Sequence, residues 1–264
     1  MTDAPGAEQP PVAVRLVTLN THHGVGDDGR HDLPRLATVL AAADADLVCL
    51  QEVDRRFGGR SEDVDQALLL GRALGMQLAW GPAIDEPRRT LDERRQYGNA
   101  LLSRLPVLAS DVHRLPGAGE PRSALRTRVD LGAAALSVTT THLSTRSVEE
   151  RAAQAGTIAG LSSGPGGAVV VGDFNAEPGA PELAVLRERF ADAWELARDR
   201  DDRAGWRFWR HQGGHTHPAR RPHRRIDHVW VSPGVDVAGA RVLDGAGASD
   251  HLPLVVDLEV HPDL

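Results

Sequence analysis

The sequence has no lysine and only one cysteine among its 264 residues. Without lysine, neither a Schiff-base mechanism nor a Walker-type phosphate-binding loop can operate. The single cysteine, Cys49, has no second thiol with which to form an intramolecular disulfide. It lies in the apolar run DLVCLQEV, which favours a small core residue rather than a nucleophile. Composition therefore excludes the lysine mechanisms and gives no support to redox chemistry.

Long apolar segments are also missing. No run approaches the roughly 20 apolar residues that a membrane-spanning helix needs. The chain start, MTDAPGAEQPP, lacks the basic and apolar regions of a signal peptide. We therefore expect a cytoplasmic, monomeric protein with no membrane span. Residues 1–11 are predicted to form a disordered tail, and residues 12–264 a single domain.

Basic residues are fewer than acidic ones, and the formal net charge is -7. This balance argues against a surface coated for non-specific nucleic-acid binding, although an acidic protein can still carry a local basic groove. All 30 basic residues are arginine. With arginine this common, a single arginine is weak evidence for a site.

Apolar patterning predicts strands that alternate with helices, which indicates layered sheets covered by helices. Buried strands are predicted at VAVRLVTLN, DLVCLQEV and AVVV, the last ended by Gly172. The strands GNALLSR, PVLASDV, ALRTRVD and AALSVTTTHL follow one another with hairpin spacing, after a short strand MQLAW and a long polar loop, DEPRRTLDERRQ. Helices are predicted after the cap Asp32, at 67–74 before Gly75, after a Ser147-x-x-Glu150 capping box, and at 181–189.

Polar side chains stand where several of these strands end. One such residue is most simply a turn residue or a helix cap, but the pattern recurs along the whole chain. Carboxylates can hold a hard divalent ion, while amide and imidazole groups position an anion and its attacking water. The set therefore predicts phosphoester hydrolysis; it comprises Asn20, Glu52, His142, Asp173, Asn175, Asp227, Asp250 and His251.

Seven motifs occur in an order that resembles the endonuclease/exonuclease/phosphatase superfamily. They are LNTHHG, LQEVD, YGNALLSR, TTHLS, GDFNAEP, RIDHVWVS and SDHLPL, and the resemblance spans about Val12 to Leu258. The resemblance implies an α/β (α+β) fold, a four-layer sandwich of two mostly antiparallel β-sheets flanked by helices. It also implies an active site at one edge of the sandwich.

The same resemblance implies a bound Mg²⁺, with Mn²⁺ as a substitute. Glu52 would be the main ligand, with Asn20 and Asp250 close to the same ion. His142 would stabilise negative charge on the pentacovalent phosphorus. Tyr97 would contact the phosphate.

Four further residues are assigned to the chemistry by the resemblance. Asp173 would orient or deprotonate the attacking water, and Asn175 would hydrogen-bond the phosphate. His251 would contact a phosphoryl oxygen or the nucleophile, with Asp227 fixing its tautomer. Whether Asp173 or His251 is the base stays open.

Two substrate-binding candidates have simpler alternatives. His22 follows Asn20 directly and could reach the phosphate or the metal, or be a polar loop residue. Arg126 resembles an arginine of small-substrate members and could clamp a phosphate. A solvated strand face explains Arg126 nearly as well.

Residues 207–225 form a segment rich in histidine and arginine. A zinc site is one interpretation, but the histidines lack paired spacing and no cysteine supports them. A basic loop that meets an anionic substrate through Arg220, Arg221, Arg224 and Arg225 is the better functional interpretation. An ordinary surface loop is the alternative.

We therefore predict an Mg²⁺-dependent hydrolase of a small or lipid-derived phosphoester. A DNA exonuclease or apurinic-site endonuclease is the next hypothesis, with nucleic acid as a less favoured partner. A catalytically silent binding member of the fold and a zinc hydrolase are further alternatives. The motifs do not discriminate among phosphoester substrates.

Overall fold

The computed structural model describes residues 9–88, 93–162, 167–203 and 213–262. Most of the predicted tail, and His211 of the histidine-rich segment, lie outside these ranges. Among the described residues, no helix has the length and apolar character to cross a membrane.

Twelve strands in these ranges form two sheets of six. The first sheet has the order β11-β12-β1-β2-β4-β3 and the second the order β5-β6-β7-β8-β10-β9. The strands are β1 Val12–Asn20, β2 Leu47–Arg55, β3 Gln77–Pro87, β4 Arg94–Ser103, β5 Val107–Arg114, β6 Ser123–Asp130, β7 Ala135–His142, β8 Gly167–Asp173, β9 Ala191–Asp192, β10 Asp227–Val231, β11 Val235–Val242 and β12 Leu254–Val260.

The helices are α1 Leu33–Ala42, α2 Gln66–Leu74, α3 Val148–Leu161, α4 Ala184–Arg187 and α5 Ala193–Arg203. The predicted caps of α1 and α3 are confirmed, because Asp32 accepts from the Arg35 amide and Ser147 from the Glu150 amide. The other half of the predicted capping box, in which the Glu150 carboxylate accepts from the Ser147 backbone amide, is wrong. That carboxylate instead accepts from the Ser144 hydroxyl and the Ala118 amide.

Each sheet contains one parallel pair, β1 with β2 and β7 with β8, and its other neighbouring strands are antiparallel. Parallel neighbours end at the same edge of a sheet, so each sheet has one edge where two carboxyl ends meet. This topology sets the position of the predicted site.

Three apolar clusters define the layers. The largest fills the space between the sheets and contains Leu16, Leu101 and Val171. A second packs α1 and α2 on the first sheet, and a third packs α3 and α4 on the second. The predicted fold class, two sheets flanked by helices, is confirmed.

Cys49 lies inside the central cluster, as predicted for a core residue. Burial raises the pKa of its thiol to about 12. A neutral, inaccessible thiol is a packing group rather than a nucleophile.

Gly172 does not end β8, contrary to the prediction. The strand continues through it to Asp173, and Gly172 pairs with Thr141 of β7. Its φ is +143°, and a Cβ there would lie 1.9 Å from the Thr141 carbonyl oxygen. Glycine is therefore required by the close approach of the two strands, which brings Asp173 to the sheet edge.

Other predicted boundaries also change. The predicted polar loop at 85–96 is largely strand, since β3 and β4 pair as far as Pro87 and Arg94; residues 89–92 lie outside the described ranges. The strands β4 and β5 are not a hairpin, because they belong to different sheets. The helix predicted at 181–189 is a 3-10 turn followed by α4, while α5 and β11 were not predicted.

Candidate active site

Three predicted residues lie side by side at the edge of the second sheet. In the strand register, His142 is opposite Asp173, and Asp173 is opposite Asp227. Neighbouring strands are about 4.8 Å apart, so the register alone brings these side chains close together. The chain supplies them from β7, β8 and β10.

The first sheet contributes Asn20 and Glu52. Asn20 ends β1 opposite Gln51, and Glu52 follows at a β-bulge, where the pairing of β2 with β4 shifts between Leu50 and Val53. Glu52 has a φ of +56°, which is unusual for a residue other than glycine. Such backbone strain is frequent at functional sites.

Asn20 joins the two sheets. Its Nδ2 donates to Glu52 Oε1 and to Asp173 Oδ2, both at 3.0 Å. Its Oδ1 accepts from the His22 backbone amide at 3.0 Å. Asn20 therefore presents its N–H group to the carboxylates and holds them in place, with its oxygen turned toward the backbone.

Asp227 and His251 form a buried pair. His251 Nδ1 lies 2.8 Å from Asp227 Oδ2, which also accepts from the Thr216 hydroxyl. Burial lowers the pKa of His251, but the charge of Asp227 and its hydrogen bond outweigh burial, so the pKa of His251 is raised. Burial alone would raise the pKa of Asp227, but the charge of His251 and its hydrogen bond outweigh burial, so the pKa of Asp227 is lowered.

Asp173 lies at the centre of the cluster. Its Oδ1 accepts from the Asn175 amide at 2.8 Å, and its Oδ2 is 3.8 Å from His251 Nε2. Burial raises the pKa of Asp173, and the Asp227 charge acts in the same direction against the opposing effect of His251. A fixed, buried carboxylate facing an imidazole can hold a water molecule by hydrogen bonding.

His142 has a nitrogen atom of another side chain close to each of its ring nitrogens. Its Nε2 lies 3.0 Å from Asn175 Nδ2, and its Nδ1 lies 2.7 Å from Nη1 of Arg122. Burial, followed by the charge of Arg122, lowers the pKa of His142 to about 3. His142 is therefore a neutral imidazole near pH 7, able to donate one hydrogen bond.

Two carboxylates have the exposure that a hydrated cation needs. The side chains of Glu52 and Asp250 are 22% and 39% exposed, whereas Asp173 and Asp227 are fully buried and hydrogen-bonded. Burial disfavours ionisation of Glu52, but His23, with its Nδ1 3.9 Å from Oε2, and the hydrogen bond from Asn20 outweigh burial and lower the pKa of Glu52 below the usual value. Hard oxygen donors with access to water fit Mg²⁺.

Two sets of three potential ligand residues also occur among the described residues, and Glu52 belongs to neither. Asp173, Asp227 and His251 offer atoms within 4.8 Å of one another, and so do His217, Asp250 and His251. The first set is already engaged in internal hydrogen bonds. Both sets contain His251, so a cation bound by either set would lie next to His251.

Tyr97 is buried beside the cluster. It lines a small pocket together with Glu52, Arg122 and His142. Burial, and next the charge of Glu52, raises the pKa of its hydroxyl. Phe57 packs against the Tyr97 ring, with 5.9 Å between the centroids.

The substrate-binding candidates differ in position. His22 lies beside the site, with its Nδ1 3.9 Å from Asp250 Oδ1. Arg126 instead reaches toward Ser137 on β7, with Nε 3.4 Å from Oγ. Among the described residues, Arg126 makes no hydrogen bond or ion pair with the cluster, so it does not belong to the proposed site.

The histidine- and arginine-rich segment has mixed roles. Arg225 is buried and paired with Asp192 and Glu195, so the expectation that it meets substrate is wrong. These ion pairs hold Arg225 against β9 and α5. His228, which follows the segment in β10, is also buried, and its ring stacks on Phe174 at 4.9 Å between centroids.

The remaining described histidines of this segment give little support to a zinc site of their own. His217 packs against His251, with ring centroids 4.6 Å apart, while His223 is exposed. Within the described part of the chain, the segment's histidines do not form a metal-ligand group among themselves.

Arg122 is the main residue that sequence reasoning missed. It precedes β6 in the run EPRSAL, four residues before the candidate Arg126. With 30 arginines in the chain, nothing in the pattern distinguished it. Only the fold shows that it contacts His142.

The family model described as the Endonuclease/Exonuclease/phosphatase family matches residues 17–251. The chain therefore belongs to the endonuclease/exonuclease/phosphatase family. Enzymes of this family are hydrolases of phosphoesters and generally use divalent metals. A search of the curated proteins found no match.

Solved structures share the fold. An endonuclease/exonuclease/phosphatase from Beutenbergia cavernae DSM 12333 is 27% identical, with a TM-score of 0.74 over 95% of this chain and 72% of that one. A mannosyl-6-phosphatase from Bacteroides thetaiotaomicron is 18% identical, with a TM-score of 0.72 over 93% and 99%. The human Nocturnin catalytic domain with bound sulfate is 21% identical, with a TM-score of 0.64 over 96% of each chain.

Proposed function

We propose that the protein is an Mg²⁺-dependent hydrolase of a small or lipid-derived phosphoester, acting by attack of water on phosphorus. The observation that carries this proposal is the bridge made by Asn20. One amide contacts both Glu52 and Asp173 at 3.0 Å, so the metal-binding and water-binding halves are held together across the two sheets.

The proposed metal ligands are Glu52 and Asp250, with Mn²⁺ able to replace Mg²⁺. When bound, the ion would polarise a phosphoryl oxygen and neutralise developing charge. Asn20 contributes by orienting Glu52 rather than by offering a free oxygen. Its role differs in this respect from the direct ligand that the motif suggests.

The remaining groups are proposed to act on the water and the phosphate. Asp173 and His251 face each other across 3.8 Å, and the attacking water would lie against both. Asp227 keeps His251 Nδ1 engaged, which leaves Nε2 directed at this space. His142 and Asn175 would donate to phosphoryl oxygens, where negative charge increases in the transition state.

The proposed substrate class rests on the surroundings of the cluster. Two described arginines of the histidine-rich segment are already paired, because Arg225 is buried in a structural ion pair and Arg220 pairs with Asp27. A long basic track for a duplex is therefore not supported by these residues. A short phosphoester needs only the local donors.

A substrate panel in Mg²⁺ or Mn²⁺ tests the proposal. It includes p-nitrophenyl phosphate, bis-p-nitrophenyl phosphate, inositol phosphates, sphingomyelin and abasic duplex DNA. Asp173→Asn should lower turnover on the preferred ester by about 100-fold or more. The control is Asp111→Asn, which makes the same change at an exposed position on β5.

Three outcomes are decisive. Hydrolysis of a small or lipid ester that is lost in Asp173→Asn and kept in Asp111→Asn supports the proposal. Preferential cleavage of abasic DNA would replace it with a DNA-processing activity. No hydrolysis of any ester by a folded protein supplied with metal would support the silent binding member instead.

A further inference from the structure

Arg122 is buried next to the proposed site. Its side chain is only 7% exposed, and its Nη1 lies 2.7 Å from His142 Nδ1. Its Nη2 pairs with Glu120 Oε1 at 3.2 Å. Glu120 is half-exposed, so the pair balances the charge of Arg122 from the solvent side while the guanidinium reaches inward.

The chemistry of a guanidinium fixes the direction of this hydrogen bond. All its N–H groups donate and none can accept. His142 Nδ1 must therefore be the acceptor and carry no proton. A neutral imidazole has one N–H group, which is then at Nε2.

Nε2 faces the site. It lies 3.0 Å from Asn175 Nδ2, 3.5 Å from Asp173 Oδ2 and 4.0 Å from Glu52 Oε1. The side-chain Nδ2 of Asn175 also donates to the Leu143 carbonyl oxygen at 3.0 Å. This second contact fixes Nδ2, rather than Oδ1, on the side toward His142. Two N–H donors thus adjoin each other at 3.0 Å.

Two adjacent donors are poorly satisfied by each other. An oxygen atom with two lone pairs placed against them would accept from both. A phosphoryl oxygen has this character, and so has a water molecule. The pair is therefore organised for an anionic oxygen rather than for internal hydrogen bonding.

We propose that Arg122 is a positioning residue, which holds His142 in the tautomer protonated at Nε2 so that His142 and Asn175 donate to one phosphoryl oxygen. The identity of that oxygen rests on the proposed function. The tautomer itself does not, because it follows from the contact with Arg122.

Direct contact between Arg122 and the substrate is the competing role. Arg122 lines the small pocket that Tyr97 and Glu52 also border, and its Nε has no hydrogen-bond partner among the described residues. A direct contact would contribute to substrate binding. It would not require His142 to hold any one tautomer.

The first test reads the tautomer in the ligand-free protein. Long-range ¹H–¹⁵N correlation spectra of ¹⁵N-histidine-labelled protein at neutral pH distinguish a protonated ring nitrogen from an unprotonated one. The signals of His142, one of 12 histidines, are assigned by their loss in His142→Gln. We expect an unprotonated Nδ1 and a protonated Nε2.

Variants then test the cause. Arg122→Met removes the donor at similar length and should abolish the preference for the Nε2–H tautomer. Arg122→Lys keeps a group that can only donate and should retain that preference. The control is Arg128→Met, at an exposed position on β6, the strand that follows Arg122, and it should leave the His142 signals unchanged.

The inference is overturned if wild-type His142 carries its proton on Nδ1, or if Arg122→Met keeps the wild-type tautomer. The first result needs no variant, so the inference remains testable even if Arg122→Met fails to fold. Near-ultraviolet circular dichroism checks the folding of each variant.

Kinetics on the preferred ester provide the second readout. Arg122→Met should lower kcat by about 10- to 100-fold with little change in KM, and Arg122→Lys should restore part of the loss. A raised KM with unchanged kcat and tautomer would show direct substrate contact and overturn the inference. If no ester is hydrolysed but the tautomer responds to Arg122→Met, the positioning role stands and the proposed function fails.

Discussion

At the scale of single residues, the site depends on side chains that orient other side chains. Asn20 holds Glu52 and Asp173, Asp227 holds His251, and Thr216 donates to the same Asp227 oxygen. A group held by its neighbours does not have to reorganise as the reaction proceeds. Changes to the orienting residues should therefore affect turnover more than binding.

Asp227→Asn tests this expectation. An asparagine keeps the size of the side chain but loses the charge that favours one orientation of His251. We expect kcat to fall at least roughly tenfold, with a smaller change in KM. Steady-state kinetics on the preferred ester measure both.

The matched control is Asp236→Asn. Asp236 pairs with His261 at the same 2.8 Å distance, but at an exposed position. It should leave kcat unchanged. Equal turnover in the wild type and Asp227→Asn would remove Asp227 from the site.

At the scale of elements, the close pairing of β7 with β8 positions His142 against Asp173. Gly172 makes this approach possible, because a side chain there would overlap the Thr141 carbonyl. The glycine of GDFN is therefore a packing requirement of the two strands. It is not the turn residue that the pattern suggested.

Gly172→Ala should be strongly destabilising. The added Cβ would meet backbone, and the φ of +143° is unfavourable for alanine. We expect a loss of at least about 2 kcal/mol in the free energy of unfolding, measured by urea denaturation.

Gly156→Ala is the control, and its expected effect on the free energy of unfolding has the opposite sign. Gly156 lies in α3, and nothing lies within 4 Å of a Cβ added there. An alanine should stabilise the helix by about 0.5–1 kcal/mol. A Gly172→Ala protein as stable as the wild type would contradict the account of β8.

The sequence predicts elements well where apolar period and caps agree, as in α1 and β1. It fails for α5, since AWELARDRDDR is mostly polar and offers little apolar stripe. It also fails for β11, which contains a glycine and a register shift between Val237 and Gly239. These elements depend on partners that are distant in the chain.

Residue types in the candidate site were predictable from the motifs, but their contacts were not. The register that aligns His142, Asp173 and Asp227 joins three separate motifs. The direction in which the Asn20 amide points is likewise set by both sheets. Such features depend on tertiary packing, which no local pattern contains.

At the scale of the whole molecule, the charge of -7 and the internal pairing of arginine argue for weak binding to nucleic acid. Each phosphate contact with a duplex would add about -0.9 to the slope of log affinity against log salt. We expect weak affinity for abasic duplex DNA and a shallow slope, measured by fluorescence anisotropy in Ca²⁺.

The combined variant Arg220→Ala, Arg221→Ala and Arg224→Ala should change this slope little. Submicromolar affinity at physiological salt, with a steep slope that the combined variant flattens, would contradict the expectation. That result would favour the DNA exonuclease or apurinic-site endonuclease hypothesis.

The most direct test of the central claim is the Mg²⁺ dependence of hydrolysis by chelator-stripped protein, with Glu52→Gln beside the wild type. The stripped wild type should be inactive and should recover with Mg²⁺ or Mn²⁺, while Glu52→Gln should remain folded and need more metal. Glu62→Gln, at an exposed position, should match the wild type. Full hydrolysis in excess EDTA, or the same Mg²⁺ dependence in Glu52→Gln, would contradict a metal-dependent mechanism centred on Glu52.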